Sequence, residues 1–286
     1  MSQLIFKDDI ERRQSCAGWQ INRIRINNVK RFWIFLFLLG LSACSAKPRC
    51  SDHPSEKCTR VLFIGNSYTF ANDLPGMFTE LASSGKHLTE PQSLAQGGWT
   101  LADHVNDKNT QPTVRSVKWD YVVLQEQSEI PAVEQSRAVS MYPAARTLVR
   151  MIEENGEVPI FFMTWGYRDG DKQFGYNDYD SMQNQLVVGY LTIARELGVP
   201  VAPAGYAWWR TRKQDPDIEL WQSDGSHPNK NGTYLAACVF YATIFRVSPE
   251  GLTYTAQIPG KTAQALQSIA AGAVLDDPEE WNLQEE

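Results

Sequence analysis

Histidine and cysteine are both scarce in this sequence, and this limits the kinds of site that it can build. Four histidines and five cysteines occur among 286 residues, and no cysteine pair shows the spacing to histidines that zinc sites use. Lysine and arginine together number 27 against 33 acidic residues, which gives a formal net charge of −6. Nucleic-acid-binding proteins usually carry a concentrated basic face, so we expect no nucleic-acid partner. The sequence also lacks internal repeats and low-complexity blocks.

The amino-terminal segment has the layout of an export signal. Lys30 and Arg31 precede an apolar run over residues 32–41, which is shorter than the about 20 apolar residues that span a bilayer. The sequence Leu41-Ser42-Ala43-Cys44 resembles the lipobox of bacterial lipoproteins, which implies that Cys44 becomes the lipidated first residue after cleavage. An uncleaved anchor helix is the alternative. Both place the remaining chain outside the cytoplasm, in the periplasm or at the outer membrane of a bacterial cell envelope.

The first 28 residues fit an export signal poorly, because acidic residues are unusual upstream of the apolar core. The acidic residues in question are Asp8, Asp9 and Glu11. We therefore hypothesise that translation begins near Val29. In either case residues 1–43 form a leader, and the polar, proline-containing residues 44–59 form a tether.

Two cysteines in the tether could pair with each other. Cys50 and Cys58 flank a short polar loop, and an oxidising compartment would allow a disulfide, although two free thiols remain the alternative. Cys238 lies in an apolar helical pattern, which predicts a buried core thiol.

Short apolar runs alternate with longer amphipathic segments from Arg60 onwards. Apolar runs without in-out alternation, separated by helices, indicate a parallel sheet that is covered on both faces. Five such units predict one domain over residues 60–286, a three-layer α/β/α sandwich with a doubly wound five-stranded parallel sheet. The expected strands are 61–64, 88–95, 121–124, 159–163 and 201–204, and the expected helices lie near 73–84, 99–108, 131–155, 179–197, 229–246 and 261–275, with a Trp-rich connection after the fifth strand.

Two polar segments carry the residues of a serine hydrolase. Gly65-Asn66-Ser67 follows the first strand, where a tight turn would expose Ser67, although a serine there is often only a helix cap. Far along the chain, Asp224 precedes His227 by three residues, so its carboxylate can fold back on the imidazole and leave Nε2 free to take a proton from a serine. A solvated turn is the alternative for this second segment.

Together the two segments resemble the SGNH (GDSL-like) hydrolase family. Its members place the nucleophile in a Gly-Asp-Ser or Gly-Asn-Ser turn after the first strand and the other two triad residues in a carboxy-terminal Asp-x-x-His. The resemblance covers about residues 60–246. It implies a flavodoxin-like fold and a catalytic triad of Ser67, Asp224 and His227.

Members of the family also form an oxyanion hole from three hydrogen-bond donors. In this sequence the third donor departs from the family pattern. The N–H of Ser67 is one donor, and Gly97-Gly98 supplies the second, with Gly98 favoured because it lies nearer the next helix. The third donor is an asparagine in the family, but the sequence here reads Leu124-Gln125-Glu126-Gln127-Ser128. This departure resembles a divergent branch with Leu-Gln-x-Gln-Ser; Gln127 is the favoured donor and Gln125 the second choice.

These residues predict an esterase that acts through an acyl-enzyme and requires no metal or organic cofactor. The expected substrate is a short-chain or carbohydrate O-acetyl ester, and we expect a monomer attached to the membrane through Cys44. A lipid-directed esterase or thioesterase, or a non-catalytic carbohydrate-binding lipoprotein, are the alternatives. Residues after the fourth and fifth strands are the candidates for lining the substrate cleft, namely Trp165, Tyr167, Arg168 and Trp208; burial over the core is the alternative for the tryptophans. His104 could also line the mouth of the cleft, but a solvated surface position is favoured.

Overall fold

The computed structural model describes residues 50–52 and 55–283. The predicted leader, the lipidation site Cys44 and the first part of the tether lie outside the described residues. Among the described residues, no helix has both the length and the apolar character needed to cross a bilayer.

A five-stranded parallel sheet forms the centre of the domain, and this confirms the predicted fold class. Its strands run in the order β2-β1-β3-β4-β5, the flavodoxin-like order. In register, Ile64 pairs with Leu124, which aligns the carboxyl ends of the two central strands. The strands are β1 Cys58–Gly65, β2 Leu88–Ala95, β3 Tyr121–Leu124, β4 Val158–Phe162 and β5 Val201–Ala202.

Ten α-helical segments connect and cover the strands within the described part of the chain. They are α1 Ser67–Phe70, α2 Leu74–Ser84, α3 Leu101–Asn106, α4 Thr110–Val114, α5 Glu134–Ser136, α6 Tyr142–Glu154, α7 Tyr179–Leu197, α8 Ala204–Gln214, α9 Lys230–Phe245 and α10 Gly260–Leu275. Helix α9 packs against both α2 and α10, while α6 packs against α3 and α7. Thirteen of the sixteen residues of α9 are buried, so this helix lies at the centre of its layer.

Two predicted elements differ in the structure. The Trp-rich connection after β5 is the helix α8, and β5 is correspondingly cut to two residues, because Pro203 breaks the strand and precedes the first helical residue. The long helix expected over 131–155 begins later, at Glu134, and contains a π-helical turn over Arg137–Met141. The carbonyls of Pro131 and Ala132 accept hydrogen bonds from the buried Arg137 guanidinium, so this stretch is held outside the helix.

The amino ends of the strands form the edge opposite to the predicted reactive groups. Cys50 and Cys58 are joined there by a disulfide at the start of β1. A cavity of about 820 Å³ also lies at this edge, with Thr59, Leu88 and Tyr121 among its lining residues. It is therefore remote from the chemistry expected at the carboxyl ends.

The close packing of α8 against the loop after β4 gives a test of the fold. A Cβ atom on the buried Gly205 would lie 1.9 Å from the Thr164 carbonyl oxygen, whereas a Cβ atom on Gly260 would meet no atom within 4 Å. We expect Gly205→Ala to lower the free energy of unfolding by about 2 kcal/mol or more, because backbone must move to admit the methyl group.

The matched control is Gly260→Ala in the first turn of α10, which should leave the free energy of unfolding unchanged or raise it by up to about 1 kcal/mol. Urea denaturation of the two variants and the wild type measures both effects. Equal stabilities of the two variants would contradict the packing described for α8.

Candidate active site

The turn after β1 presents Ser67 at the carboxyl edge of the sheet. Asn66 is the N-cap of α1, and its side-chain oxygen accepts a hydrogen bond from the Tyr68 N–H at 3.1 Å. A side chain at Gly65 would collide with Thr69 Oγ1 and Gln125 Oε1, at 2.3 and 2.5 Å from an added Cβ. The glycine in this motif is thus required by close packing against two polar groups.

Gln125, the residue after β3, holds this turn in place. Its side-chain oxygen accepts hydrogen bonds from the Asn66 N–H at 2.8 Å and from the Thr69 hydroxyl at 2.9 Å. Its amide nitrogen donates to the Glu126 carbonyl oxygen, and the side chain is fully buried. Because both ends of the carboxamide are engaged, Gln125 supports the turn that carries Ser67 and is not placed to act as the oxyanion donor, for which it was the second candidate after Gln127.

Ser67, His227 and Asp224 form a continuous chain of hydrogen-bond contacts. His227 Nε2 lies 2.9 Å from Ser67 Oγ, and His227 Nδ1 lies 2.7 Å from Asp224 Oδ2. The other carboxylate oxygen of Asp224 accepts the N–H groups of Ser226 and His227, both at 2.9 Å. The structure therefore brings the three predicted triad residues together across 160 residues of sequence.

The electrostatics of the site keep Asp224 ionised. Burial by itself would raise the pKa of this carboxyl, but hydrogen bonds from Ser226 N–H and from the imidazole and N–H of His227 outweigh it, and the pKa lies below its ordinary value. An ionised Asp224 can orient the imidazole and stabilise its protonated form.

The loop that carries His227 is tied to the rest of the domain at several points. Trp165 Nε1 donates to the Ser226 carbonyl at 3.1 Å, and the Arg168 N–H donates to the Gly225 carbonyl at 2.8 Å. The side-chain amide of Asn72 donates to the Pro228 carbonyl at 3.0 Å. These contacts come from the loop after β4 and from the segment before α2, so the position of His227 is set by tertiary structure.

Gly98, the predicted second oxyanion donor, lies in an exposed turn before α3. Its φ of 75° is in the left-handed region that favours glycine. The turn is joined to the nucleophile turn, because the Asn66 side-chain amide donates to the Trp99 carbonyl at 2.9 Å. This places the Gly98 segment beside the residue that precedes Ser67.

Gln127, the predicted third donor, is partly exposed, unlike Gln125. Its side-chain oxygen accepts the N–H groups of Glu129 and Ile130, at 2.9 and 3.3 Å, and its amide nitrogen lies 3.3 Å from Ser128 Oγ. The side-chain oxygen is thereby fixed, while the amide nitrogen has only one long hydrogen bond and retains capacity to donate.

The prediction that Trp165 and Trp208 line the substrate cleft is wrong. Trp165 and Trp208 are fully buried and stack on each other with ring centroids 3.9 Å apart, so neither can contact a substrate. Tyr167 and Arg168 are partly exposed, but Tyr167 is hydrogen bonded to Glu129 at 2.8 Å. Burying large aromatic rings lowers the free energy of the fold, and the sequence around these tryptophans does not show that they are buried.

His104 is also buried, contrary to the expected surface position. Its Nε2 lies 2.8 Å from the Gly65 carbonyl oxygen, directly before the nucleophile turn, and burial lowers its pKa. His104 therefore links α3 to the end of β1. Its i+3 spacing from the buried Leu101 is the sequence signal that could have indicated an inward-facing position.

No group of three or more His, Cys, Asp or Glu side chains is placed to hold a metal ion in the part of the chain that the structure describes. The chemistry that this site can perform with its own residues is proton transfer from a serine hydroxyl to an imidazole, followed by attack of the serine oxygen on an electrophilic carbon.

Comparison with known proteins places this chain in a family. A search of curated proteins gives no match. A DUF4886 family protein from Bacteroides uniformis has a similar structure, with a TM-score of 0.67 and 21% identity over 77% of this chain and 95% of that one. A candidate SGNH hydrolase from Slackia heliotrinireducens is 31% identical over 66% of this chain and 100% of its own length, with a TM-score of 0.57.

An acetylxylan esterase from Geobacillus stearothermophilus shares the fold at lower similarity, with a TM-score of 0.50 and 18% identity over 64% of this chain and 92% of that one. The family model described as "Domain of unknown function (DUF4886)" matches residues 101–273, which is more than half of the sequence. On this match, and with the α/β fold that it shares with SGNH hydrolases, the chain belongs to the DUF4886 family.

Proposed function

We propose that this protein is a serine hydrolase that cleaves carboxylic esters through an acyl-enzyme. The observation that carries the proposal is the chain of contacts from Asp224 through His227 to Ser67, with separations of 2.7 and 2.9 Å. A serine hydroxyl is a weak nucleophile by itself, and an imidazole within hydrogen-bond reach that is held by a carboxylate is the arrangement that activates it.

In the proposed reaction, His227 takes the hydroxyl proton as Ser67 Oγ attacks the ester carbonyl carbon. Asp224 stabilises the resulting imidazolium. The tetrahedral intermediate collapses when His227 returns the proton to the leaving alcohol, which leaves an acyl group on Ser67. Water then attacks the acyl-enzyme with the same histidine as base, and the acid is released.

The negative charge on the carbonyl oxygen would be held by three donors. They are the backbone N–H groups of Ser67 and Gly98 and the side-chain amide of Gln127. Support for this set is that the Gly98 turn is bonded to Asn66, next to Ser67, and that Gln127, unlike Gln125, has an amide nitrogen not fully engaged by protein.

The proposed substrate is a short-chain ester, with acetylated carbohydrate as the favoured class. An acetylxylan esterase has the same fold. Two aromatic residues near Ser67 keep part of their surface exposed: Phe70, three residues after it, and Trp99, whose carbonyl is bonded to Asn66. Phe70 is 48% exposed although it lies one turn after Ser67. Exposed rings of this kind can stack on a sugar.

We further propose that the enzyme acts in the bacterial cell envelope as a lipoprotein. The lipobox-like sequence before Cys44 is one support. The disulfide between Cys50 and Cys58 is another, because disulfides persist in oxidising compartments outside the cytoplasm.

Substitution of the nucleophile tests the activity itself. Ser67→Ala should lower kcat for p-nitrophenyl acetate by about 10⁴-fold or more, because no other group can form the acyl-enzyme. The full-length protein is assayed on three substrates: p-nitrophenyl acetate, a long-chain ester and acetylated xylo-oligosaccharide. If the wild-type kcat is no higher than that of Ser67→Ala on all three substrates, the esterase proposal is wrong. A higher activity on the long-chain ester than on the acetyl esters would favour a lipid-directed enzyme.

The third oxyanion donor has a separate test. Gln127→Ala should lower kcat by about 100-fold with little change in KM, because the lost hydrogen bond forms mainly to the charged intermediate. The exposed Gln173 is the matched control, and Gln173→Ala should retain wild-type kcat. If kcat in Gln127→Ala stays within about threefold of wild type, the third donor is another group.

Lipidation at Cys44 is tested in bacterial cells. Mass spectrometry of the membrane fraction should find Cys44 as the modified first residue, and Cys44→Ser should abolish the modification. An unmodified mature chain, or a precursor that retains residues 1–43 at the membrane, would contradict the lipoprotein proposal.

A further inference from the structure

Glu126 is a buried carboxyl group at the carboxyl end of β3 that the proposed mechanism does not use. Its side chain is fully buried. One carboxyl oxygen, Oε1, accepts two backbone hydrogen bonds, from the Leu101 N–H at 3.1 Å and from the Gln127 N–H at 2.7 Å. The other oxygen, Oε2, is buried and has no hydrogen-bond partner among the described residues. Burial of a carboxyl oxygen without a hydrogen-bond partner costs free energy of folding.

The two N–H groups that Oε1 binds belong to the two segments that carry the proposed oxyanion donors. Leu101 is the first residue of α3, directly after the turn that contains Gly98. The same turn is held at Trp99 by the side-chain amide of Asn66. Gln127 is itself a proposed donor, and its backbone is fixed by the second bond. One oxygen atom thus joins the Gly98 turn to the Gln127 segment.

We propose that Glu126 is a positioning residue, whose Oε1 fixes the distance between the Gly98 turn and Gln127 and so sets the geometry of the oxyanion hole. This inference rests on the proposed function. An oxyanion donor displaced by about 1 Å loses much of its effect, so a bond that couples two donors bears directly on kcat. Glu126 contacts no substrate in this scheme and acts only through the two segments.

The acceptor atom, and not the charge, performs this role. Burial raises the pKa of Glu126 to about 7, with Asp103 of α3 adding to the rise and the two N–H groups opposing it. Tyr190 of α7 also interacts with it electrostatically. A carboxyl oxygen accepts N–H hydrogen bonds in both protonation states. A glutamine, which keeps one acceptor oxygen, should therefore preserve the arrangement.

Glu157 provides a matched control at the opposite edge of the sheet. It is also buried, its Oε1 accepts the Trp119 N–H at 3.1 Å, and its Oε2 has no partner among the described residues. It precedes β4, so it lies at the amino ends of the strands. A general cost of removing a buried glutamate would appear in Glu157→Leu as well as in Glu126→Leu.

The first experiment measures kcat and KM of the full-length variants on p-nitrophenyl acetate. Glu126→Leu should lower kcat by about 10- to 100-fold with KM changed by less than about threefold, while Glu126→Gln and Glu157→Leu should keep kcat within about threefold of wild type. Equal kcat in Glu126→Leu and wild type would overturn the proposal. So would a Glu126→Gln variant as impaired as Glu126→Leu, since the acceptor would then not be what matters.

The second experiment needs no ester, so it separates this inference from the proposed function. Hydrogen exchange at the Leu101 and Gln127 amides should be about tenfold faster or more in Glu126→Leu than in wild type, and unchanged in Glu126→Gln and Glu157→Leu. This result in a protein without esterase activity would remove the proposed function but keep the positioning role. Unchanged exchange in a folded Glu126→Leu variant would overturn the positioning role.

The pH dependence of stability tests the burial on which the inference rests. A carboxyl whose pKa is raised on folding binds its proton more tightly in the folded state, so its contribution to stability is present at low pH and is lost as pH rises through about 7. The Tm of wild type should therefore fall relative to that of Glu126→Gln between about pH 5 and pH 8. Parallel curves would contradict the raised pKa of Glu126, whereas the positioning role itself is decided by the kcat and exchange measurements.

Discussion

The alignment of the carboxyl ends of β1 and β3, bridged by the side chain of Gln125, is the constraint on which the site depends. The parallel register brings Ile64 beside Leu124, so the residues that follow each strand meet without any long connection. Gln125 then accepts hydrogen bonds from the Asn66 N–H and the Thr69 hydroxyl, which lie on either side of Ser67. In a buried setting an unmet bond of this kind costs about 1–3 kcal/mol, so the turn has little freedom to relax. The backbone around Ser67 is thus held by contacts that do not involve the histidine.

The polar block after β3 illustrates how one short segment can organise several neighbours. Gln125 supports the nucleophile turn, Glu126 joins the start of α3 to the next backbone N–H, and the Gln127 oxygen caps the turn at Glu129 and Ile130. SGNH hydrolases place an asparagine donor in this region, whereas this chain has a run of polar side chains that each make separate structural contacts. Two polar atoms nearby, His104 Nδ1 and Glu126 Oε2, are buried and lack partners among the described residues. Such atoms are tolerated where the surrounding bonds hold them firmly.

A stack of aromatic rings supports the loop that carries His227. Tyr68 lies parallel to Trp165 at 4.8 Å, and Trp165 lies parallel to Trp208 at 3.9 Å. Tyr68 also approaches His227 edge-on at 5.5 Å, and its hydroxyl lies 2.7 Å from Ser226 Oγ. Burial of such rings stabilises the domain, and the indole N–H of Trp165 uses the same buried position to hold the Ser226 carbonyl. Trp165 and Trp208, predicted to line a cleft, instead lie buried beneath Ser67, Asp224 and His227.

The sequence determined the fold class, the order of the strands and helices, and the short-range part of the site. Apolar runs at strand length need a sheet covered on both faces, and the three-residue spacing of Asp224 and His227 is within reach of one turn of chain. Tertiary structure alone decided which side chains became supports. Trp165, His104 and Gln125 have chemical groups that suit an exposed site as well as a buried one. Their roles depend on hydrogen-bond partners 39 to 61 positions away rather than on local pattern. The same holds for α8, where Pro203 ended the strand and packing against Thr164 and α9 selected a helix that the Trp-rich sequence did not indicate. Local propensity fixes what a segment can be, but burial against distant residues fixes what it does.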